Sequence, residues 1–124
     1  MKIAVHGLGR MGMQIARKLA EAGHEVIALN RSPGPVEEAV GYGAVAGGNK
    51  AAVVTAFGDQ PIAVWVMLPA NIVDTQVDEW LAVLPKGSII IDGGNSDYRL
   101  TKKLNEVVKA KGCTLVDCGT SGGI

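Results

Sequence analysis

The stretch His6–Gly12, "HGLGRMG", constrains this chain more than any other. It follows a short apolar run, Lys2–His6 ("KIAVH"), and precedes a segment with helical periodicity. Gly7, Gly9 and Gly12 stand in the spacing G-x-G-x-x-G, and each answers a separate physical need. Gly7 permits a tight exit from a strand. Gly9 carries no β-carbon, so an anion can approach the backbone. Gly12 lets a helix lie close against the strand it leaves. The helix that follows presents free N–H groups and a partial positive charge to a pyrophosphate.

The context supports that reading. From about Arg10 to Ala22, Met11, Ile15, Leu19 and Ala22 share a helical face, with Ala16 and Ala20 beside them. Gly23 stands where a C-cap belongs, and Glu25–Leu29 is a second strand. Strand, glycine turn, helix and strand make a βαβ crossover. Further on, Pro33 and Pro35 punctuate a turn before a short helix over Val36–Val40. "AVA", between Gly43 and Gly47, is a short strand, and Asn49 caps a helix through Ala56. Ile62–Leu68 is a strand halted by Pro69. Asn71 then caps a helix carrying Val73, Val77, Trp80, Leu81 and Leu84. Ser88–Asp92 is a strand of isoleucines expected to be buried on both faces. Asp97–Lys111 is a helix with Leu100, Leu104, Val107 and Val108 on one face, and Cys113–Val116 is the last strand. This alternation predicts an α/β chain: a Rossmann-type, doubly wound, mostly parallel sheet forming a single domain over residues 1–124.

In such sheets ligands bind beyond the carboxyl ends of the strands. The second strand ends in "NRS". An NAD-specific site places an acid about 20 residues after the first glycine, to hold the ribose hydroxyls. Asn30 stands there without charge, Arg31 can make a forked contact to phosphate, and Ser32 can donate a further hydrogen bond. The stretch therefore points to NADP, with NAD still admissible at an asparagine. The other reading of Arg31 is a cation facing water beside a turn, and Arg10 has the same two readings. "MLPA" (Met67–Ala70) either borders a cofactor ring or simply begins a helix. "DGGNS" offers Asn95 either to a ligand or as a helix cap, and "GTSGG" is either an anion cradle or a tail.

Other classes lack support. Twelve basic side chains balance twelve acidic ones, which leaves no basic field for nucleic acid or for an acidic membrane. No apolar stretch is long enough to cross a bilayer, and no charged-then-apolar leader opens the sequence. Cys113 and Cys118 sit about 16 Å apart on an extended strand, too far to bridge. They read as small core residues in a reducing compartment, so the expected location is the cytoplasm. His6 and His24 have no acid or nucleophile beside them and read as structural. No metal-ligand spacing is present.

"GLGRMG", "NRS", "MLPA", "IIDGGNSDY" and "GTSGG", in this order, resemble the 6-phosphogluconate dehydrogenases, especially their shorter bacterial forms. The resemblance runs the length of the chain. It implies oxidative decarboxylation of 6-phosphogluconate to ribulose 5-phosphate in the pentose phosphate pathway, with hydride passed to NADP. It implies that Gly7, Leu8, Gly9, Arg10, Met11 and Gly12 hold the pyrophosphate. Asn30, Arg31 and Ser32 would meet the 2′-phosphate end, and Met67, Leu68, Pro69 and Ala70 would flank the cofactor. Asn95 would touch both cofactor and sugar, while Ser121, Gly122 and Gly123 would bind substrate. Leu100 departs from the family, which often has an acid there, and reads as packing. The family's lysine base, glutamate acid and His-Asn pair follow the SGG loop in a helical second domain. The chain ends at Ile124, so the isolated chain is expected to be inactive and the full-length enzyme a homo-oligomer. The 3-hydroxyisobutyrate-type β-hydroxyacid dehydrogenases share the first glycine motif and an SGG loop, but usually have "D-x-S-T" in place of "DGGNS". A non-catalytic module for dinucleotide sensing or protein binding is the rival from another class.

Overall fold

The apolar runs form a sheet and the periodic segments between them form its helices. In the computed structural model, residues 2–93 and 98–117 are described. The elements are β1 (Lys2–His6), α1 (Arg10–Glu21), β2 (Glu25–Leu29), α2 (Pro33–Gly41), β3 (Val45–Ala46) and α3 (Lys50–Ala56). β4 (Ala63–Val66), α4 (Ala70–Leu81), β5 (Ile89–Asp92), α5 (Tyr98–Ala110) and β6 (Thr114–Asp117) follow. The strands lie in the order β3-β2-β1-β4-β5-β6, and every pairing is parallel. The chain winds outward from β1 in one direction and then crosses back to wind in the other. The carboxyl ends of β1 and β4 therefore flank the point where the order reverses, which is where such sheets open a crevice.

Alternate residues of each strand feed two apolar layers. Ile3, Val5, Val26 and Ala28 pack with Ala16 of α1 and Ala39 of α2. On the other face Ala4, Ile27, Val64, Val66 and Ile90 pack with α3, α4 and α5. Val73, Val77 and Trp80 are fully buried there, and each contributes about 1.5–3 kcal/mol by leaving water.

Several local expectations change in the structure. The most buried positions of α1 are Gly12 and Ala16, while Ala22 is exposed as the C-cap residue. Small side chains let the helix axis approach the sheet, so Met11, Ile15 and Leu19 flank the contact half-buried. The helix then closes as expected. Gly23 has φ +94°, and the N–H groups of Gly23 and His24 donate to Ala20 O and Leu19 O. α2 begins at Pro33, because Pro33 and Pro35 fit a first turn whose N–H groups need no helical partner. α4 begins at Ala70, so Asn71 lies inside its first turn and Pro69 takes the cap position. β4 and β5 are shorter than their apolar runs, and β6 starts one residue later than expected. The isoleucines of β5 are not buried on both faces. Ile90 is buried, whereas Ile89 is exposed and Ile91 half-buried. The reason is that α1 and α2 contact the β1–β2–β3 half of that face. The caps at Asn49 and the pair Leu104–Val108 match expectation, with Asn49 Oδ1 accepting from the Ala52 N–H at 2.8 Å. The side chain of Leu100 lies outside the described residues.

Candidate functional site: a glycine turn beside a cleft

The three glycines of the first turn act as three different parts. Gly7 has φ +100°, and a β-carbon there would overlap the Met67 carbonyl on β4's exit loop. A β-carbon on Gly12 would overlap the Gly7 carbonyl. Both positions therefore require glycine so that β1, α1 and the end of β4 can meet. Gly9 differs: it is exposed, its φ is −67°, and a β-carbon there would meet nothing within 4 Å. Gly9 is the N-cap of α1, and no side chain caps it. The helical ladder starts with the Met13 N–H, which donates to Gly9 O at 2.8 Å. The N–H groups of Arg10, Met11 and Gly12 precede that first bond and point out of the helix end. Open space lies over Gly9, beside a helix N-terminus. That arrangement accepts an anion.

The end of β2 is stitched to this turn. The Gly7 N–H donates to Leu29 O at 2.9 Å, and the Leu8 N–H donates to Asn30 Oδ1 at 2.9 Å. The Asn30 amide nitrogen in turn donates to Ser32 O at 3.1 Å. Asn30 thus clasps the glycine turn to the loop after β2, using an acceptor on one side and a donor on the other. A carboxylate could accept from Leu8 but has no proton for the Ser32 carbonyl. Arg31 and Ser32 remain exposed, and the Ser32 hydroxyl does not cap α2.

Beside the clasp opens a cleft of about 800 Å³, within the size range of small-molecule sites. Asn30 and Arg31 line one side, Lys50 another, and Leu68 of the β4–α4 connection with Ile72 and Gln76 of α4 a third. Lys50 is tied to α4: its Nζ donates to Gln76 Oε1 at 2.7 Å and to Glu79 Oε1 at 3.0 Å. It also lies 5.9 Å from the centre of the Trp80 ring. His6 closes the inner end. It is buried, and the Trp80 indole N–H donates to its Nδ1 at 2.9 Å. An indole N–H only donates, so Nδ1 holds a lone pair and the neutral ring carries its proton on Nε2. Burial is the main cause that lowers the His6 pKa from 6.5 to about 4, the nearby Lys50 charge adds to it, and Glu79 opposes it. His6 is thus a buried, neutral ring at the inner end of the cleft, held by Trp80.

The structure brings the glycine turn, Asn30, Arg31, Ser32 and Leu68 to one sheet edge. Met67 sits behind Gly7 and its Sδ accepts from the Trp65 indole N–H at 3.2 Å. Pro69 is exposed, and Ala70 opens α4. Asn95, Ser121, Gly122, Gly123 and Cys118 lie outside the described residues. Gly93 is buried, and a β-carbon there would overlap Met67 Sδ and Trp65 Nε1. Cys113 is a buried free thiol. Among the described residues no helix is long and apolar enough to cross a membrane. Lys50, Gln76 and Glu79 carried no signal in the sequence, because α3 and α4 meet only in the folded chain.

A parallel sheet in this strand order, with an uncapped helix N-terminus over an open glycine turn, defines a dinucleotide-binding domain of Rossmann type. Comparison with known proteins narrows the class. Residues 2–124 match the family described as the NAD binding domain of 6-phosphogluconate dehydrogenase, and the chain belongs to that family. It is 36% identical over 126 residues to the NAD(+)-dependent, decarboxylating 6-phosphogluconate dehydrogenase of Haloferax volcanii. That alignment covers 99% of this chain and 40% of the relative. Among solved structures, the 3-hydroxyisobutyrate dehydrogenase of Mycobacterium tuberculosis superposes with a TM-score of 0.84 at 25% identity, covering 94% of this chain and 39% of that one. The 6-phosphogluconate dehydrogenase of Plasmodium falciparum superposes at 0.82 and 22% identity, covering 93% and 26%. The chain therefore spans two fifths or less of each of these proteins.

Proposed function

We propose that the chain is the NADP-binding domain of a decarboxylating 6-phosphogluconate dehydrogenase. The observation that carries the cofactor choice is the clasp at Asn30. With its acceptor on Leu8 and its donor on Ser32, this side chain is committed to the backbone, and no carboxylate meets the ribose there. The exposed Arg31 guanidinium then stands at the cleft edge as the partner of a 2′-phosphate.

In this reading the amides of Arg10, Met11 and Gly12 hold the pyrophosphate, with Gly7 and Leu8 shaping the turn and Gly9 leaving room. Met67, Leu68, Pro69 and Ala70 flank the cofactor where β4 ends. Asn95, Ser121, Gly122 and Gly123 hold the sugar acid. NADP, when bound, would supply the hydride acceptor for oxidation of the substrate's alcohol, the oxidation that accompanies decarboxylation in this reading. The base and acid that move protons in that reaction belong to a further domain of a homo-oligomeric, cytoplasmic enzyme. The isolated chain binds cofactor without turning substrate over. A β-hydroxyacid dehydrogenase domain is the second reading, favoured by the superposition on the mycobacterial enzyme.

The test is an absorbance assay on the purified chain with NADP and 6-phosphogluconate, beside a calorimetric titration with each cofactor. No NADPH should form, and NADP should bind about tenfold more tightly than NAD, the yield of one charge-assisted contact. NADPH formation would overturn the inactivity. Equal binding of NADP and NAD would overturn the cofactor choice.

A further inference from the structure

We propose that Lys50 is a second determinant of cofactor choice: a cation held in reserve for the 2′-phosphate, facing the same cleft as Arg31. This rests on the NADP reading above. Lys50 and Arg31 come from different elements, α3 and the loop after β2, yet both line one cleft. They are the positive charges among its lining residues, and Glu79 is the negative one.

The setting of Lys50 suits an exchange of partners. Its side chain is 15% exposed, while that of Glu79 is 54% exposed. The ammonium has three donors; Gln76 and Glu79 take two. A carboxylate at the surface returns to water at little cost, because exposed ion pairs are weak. An arriving phosphate near two negative charges offers Lys50 a stronger partner, with Gln76 Oε1 still accepting from the ammonium. The Asn49 cap and the Trp80 ring already order Lys50 before binding, so little side-chain entropy remains to be lost. A neutral cofactor edge with two hydroxyls gives this ammonium no comparable gain. Lys50 would therefore separate NADP from NAD, beyond bracing α3 against α4.

The experiment is calorimetric titration of the full chain with NADP and with NAD, for the parent and the variants Lys50→Gln, Lys50→Arg, Glu79→Gln, Lys50→Gln/Glu79→Gln and Arg31→Ala. Circular dichroism checks that each is folded. Lys50→Gln should weaken NADP about tenfold and NAD less than about twofold, and Lys50→Arg should keep the preference. Glu79→Gln should tighten NADP about threefold, and the gain should vanish in the double variant. Equal losses for both cofactors, or no loss for either, would make Lys50 a mere brace and overturn the proposal. Arg31→Ala separates the two layers of argument. If the parent chain binds NADP and NAD equally, the underlying NADP reading fails. If Arg31→Ala collapses the preference while Lys50→Gln does not, only the role given to Lys50 fails.

Discussion

Gly7→Ala should destabilise the chain by about 3 kcal/mol and Gly12→Ala by about 2 kcal/mol or more, while Gly9→Ala should change stability by less than about 1 kcal/mol. The three substitutions add the same methyl group to one short turn, so the contrast tests geometry rather than composition. At Gly7 the methyl meets the Met67 carbonyl, and the backbone has φ +100°, where side chains are strained. At Gly12 it meets the Gly7 carbonyl. Alanine regains about 1 kcal/mol of helix propensity at that position, which makes its net loss smaller. Carbonyls of a strand exit cannot rotate aside as a flexible side chain does, so the turn must part from the end of β4 in the Gly7 variant and α1 must lift from the turn in the Gly12 variant. At Gly9 the methyl enters open space at ordinary backbone angles. That space is where the pyrophosphate is expected, so Gly9→Ala should lose NADP affinity by tenfold or more while folding normally. Urea unfolding and NADP titration of the three variants check the pattern. A Gly9→Ala protein that unfolds like Gly12→Ala, or binds NADP like the parent, contradicts it.

The second large effect is a pH dependence. The unfolded chain protonates His6 near 6.5, whereas the folded chain resists protonation down to about 4, chiefly through burial. Between those values the unfolded state binds more protons, so the stability of the fold falls as pH falls. The full difference, reached near pH 4, is about 3 kcal/mol. Nδ1 is also committed as an acceptor to the Trp80 indole, so a proton arriving there must break a buried hydrogen bond. Urea unfolding monitored by the emission of Trp65 and Trp80 from pH 7.5 to 4.5 should show this loss. His6→Gln keeps an acceptor and cannot titrate in this range, so its profile should be flatter. If the parent and the variant lose stability in parallel, His6 is not the cause.

How much the sequence foretold follows the range of the interactions. The glycine turn was legible residue by residue, because strand exit, backbone approach and helix contact are local demands separated by a few positions. The strand alternation and the parallel sheet were legible for the same reason: each apolar run declares its own burial. Burial of β5 was misjudged at Ile89 and Ile91, since the reach of α1 and α2 across the sheet is a tertiary matter. Pro33 and Pro35 were misread as a turn because proline suits both a turn and a first helical turn, and only the following helix decides. Asn30 was recognised for the charge it lacks. Its clasp between Leu8 and Ser32 could not be foreseen, because one partner is a backbone amide 22 positions away. Lys50 was missed altogether, since its partners Gln76 and Glu79 are 26 and 29 positions distant and nothing in the intervening sequence links them.

The central claim is that this sheet edge receives a dinucleotide with its pyrophosphate on the first helix and its extra phosphate on Arg31. The most direct measurement is a titration of the isotope-labelled chain with NADP, followed by its backbone amide resonances. The account predicts that the largest shifts fall on Gly9–Gly12 and on Asn30–Ser32 together, and that NAD moves the first group but hardly the second. Shifts from NADP that spare the glycine turn, or that are matched at Asn30–Ser32 by NAD, would contradict it.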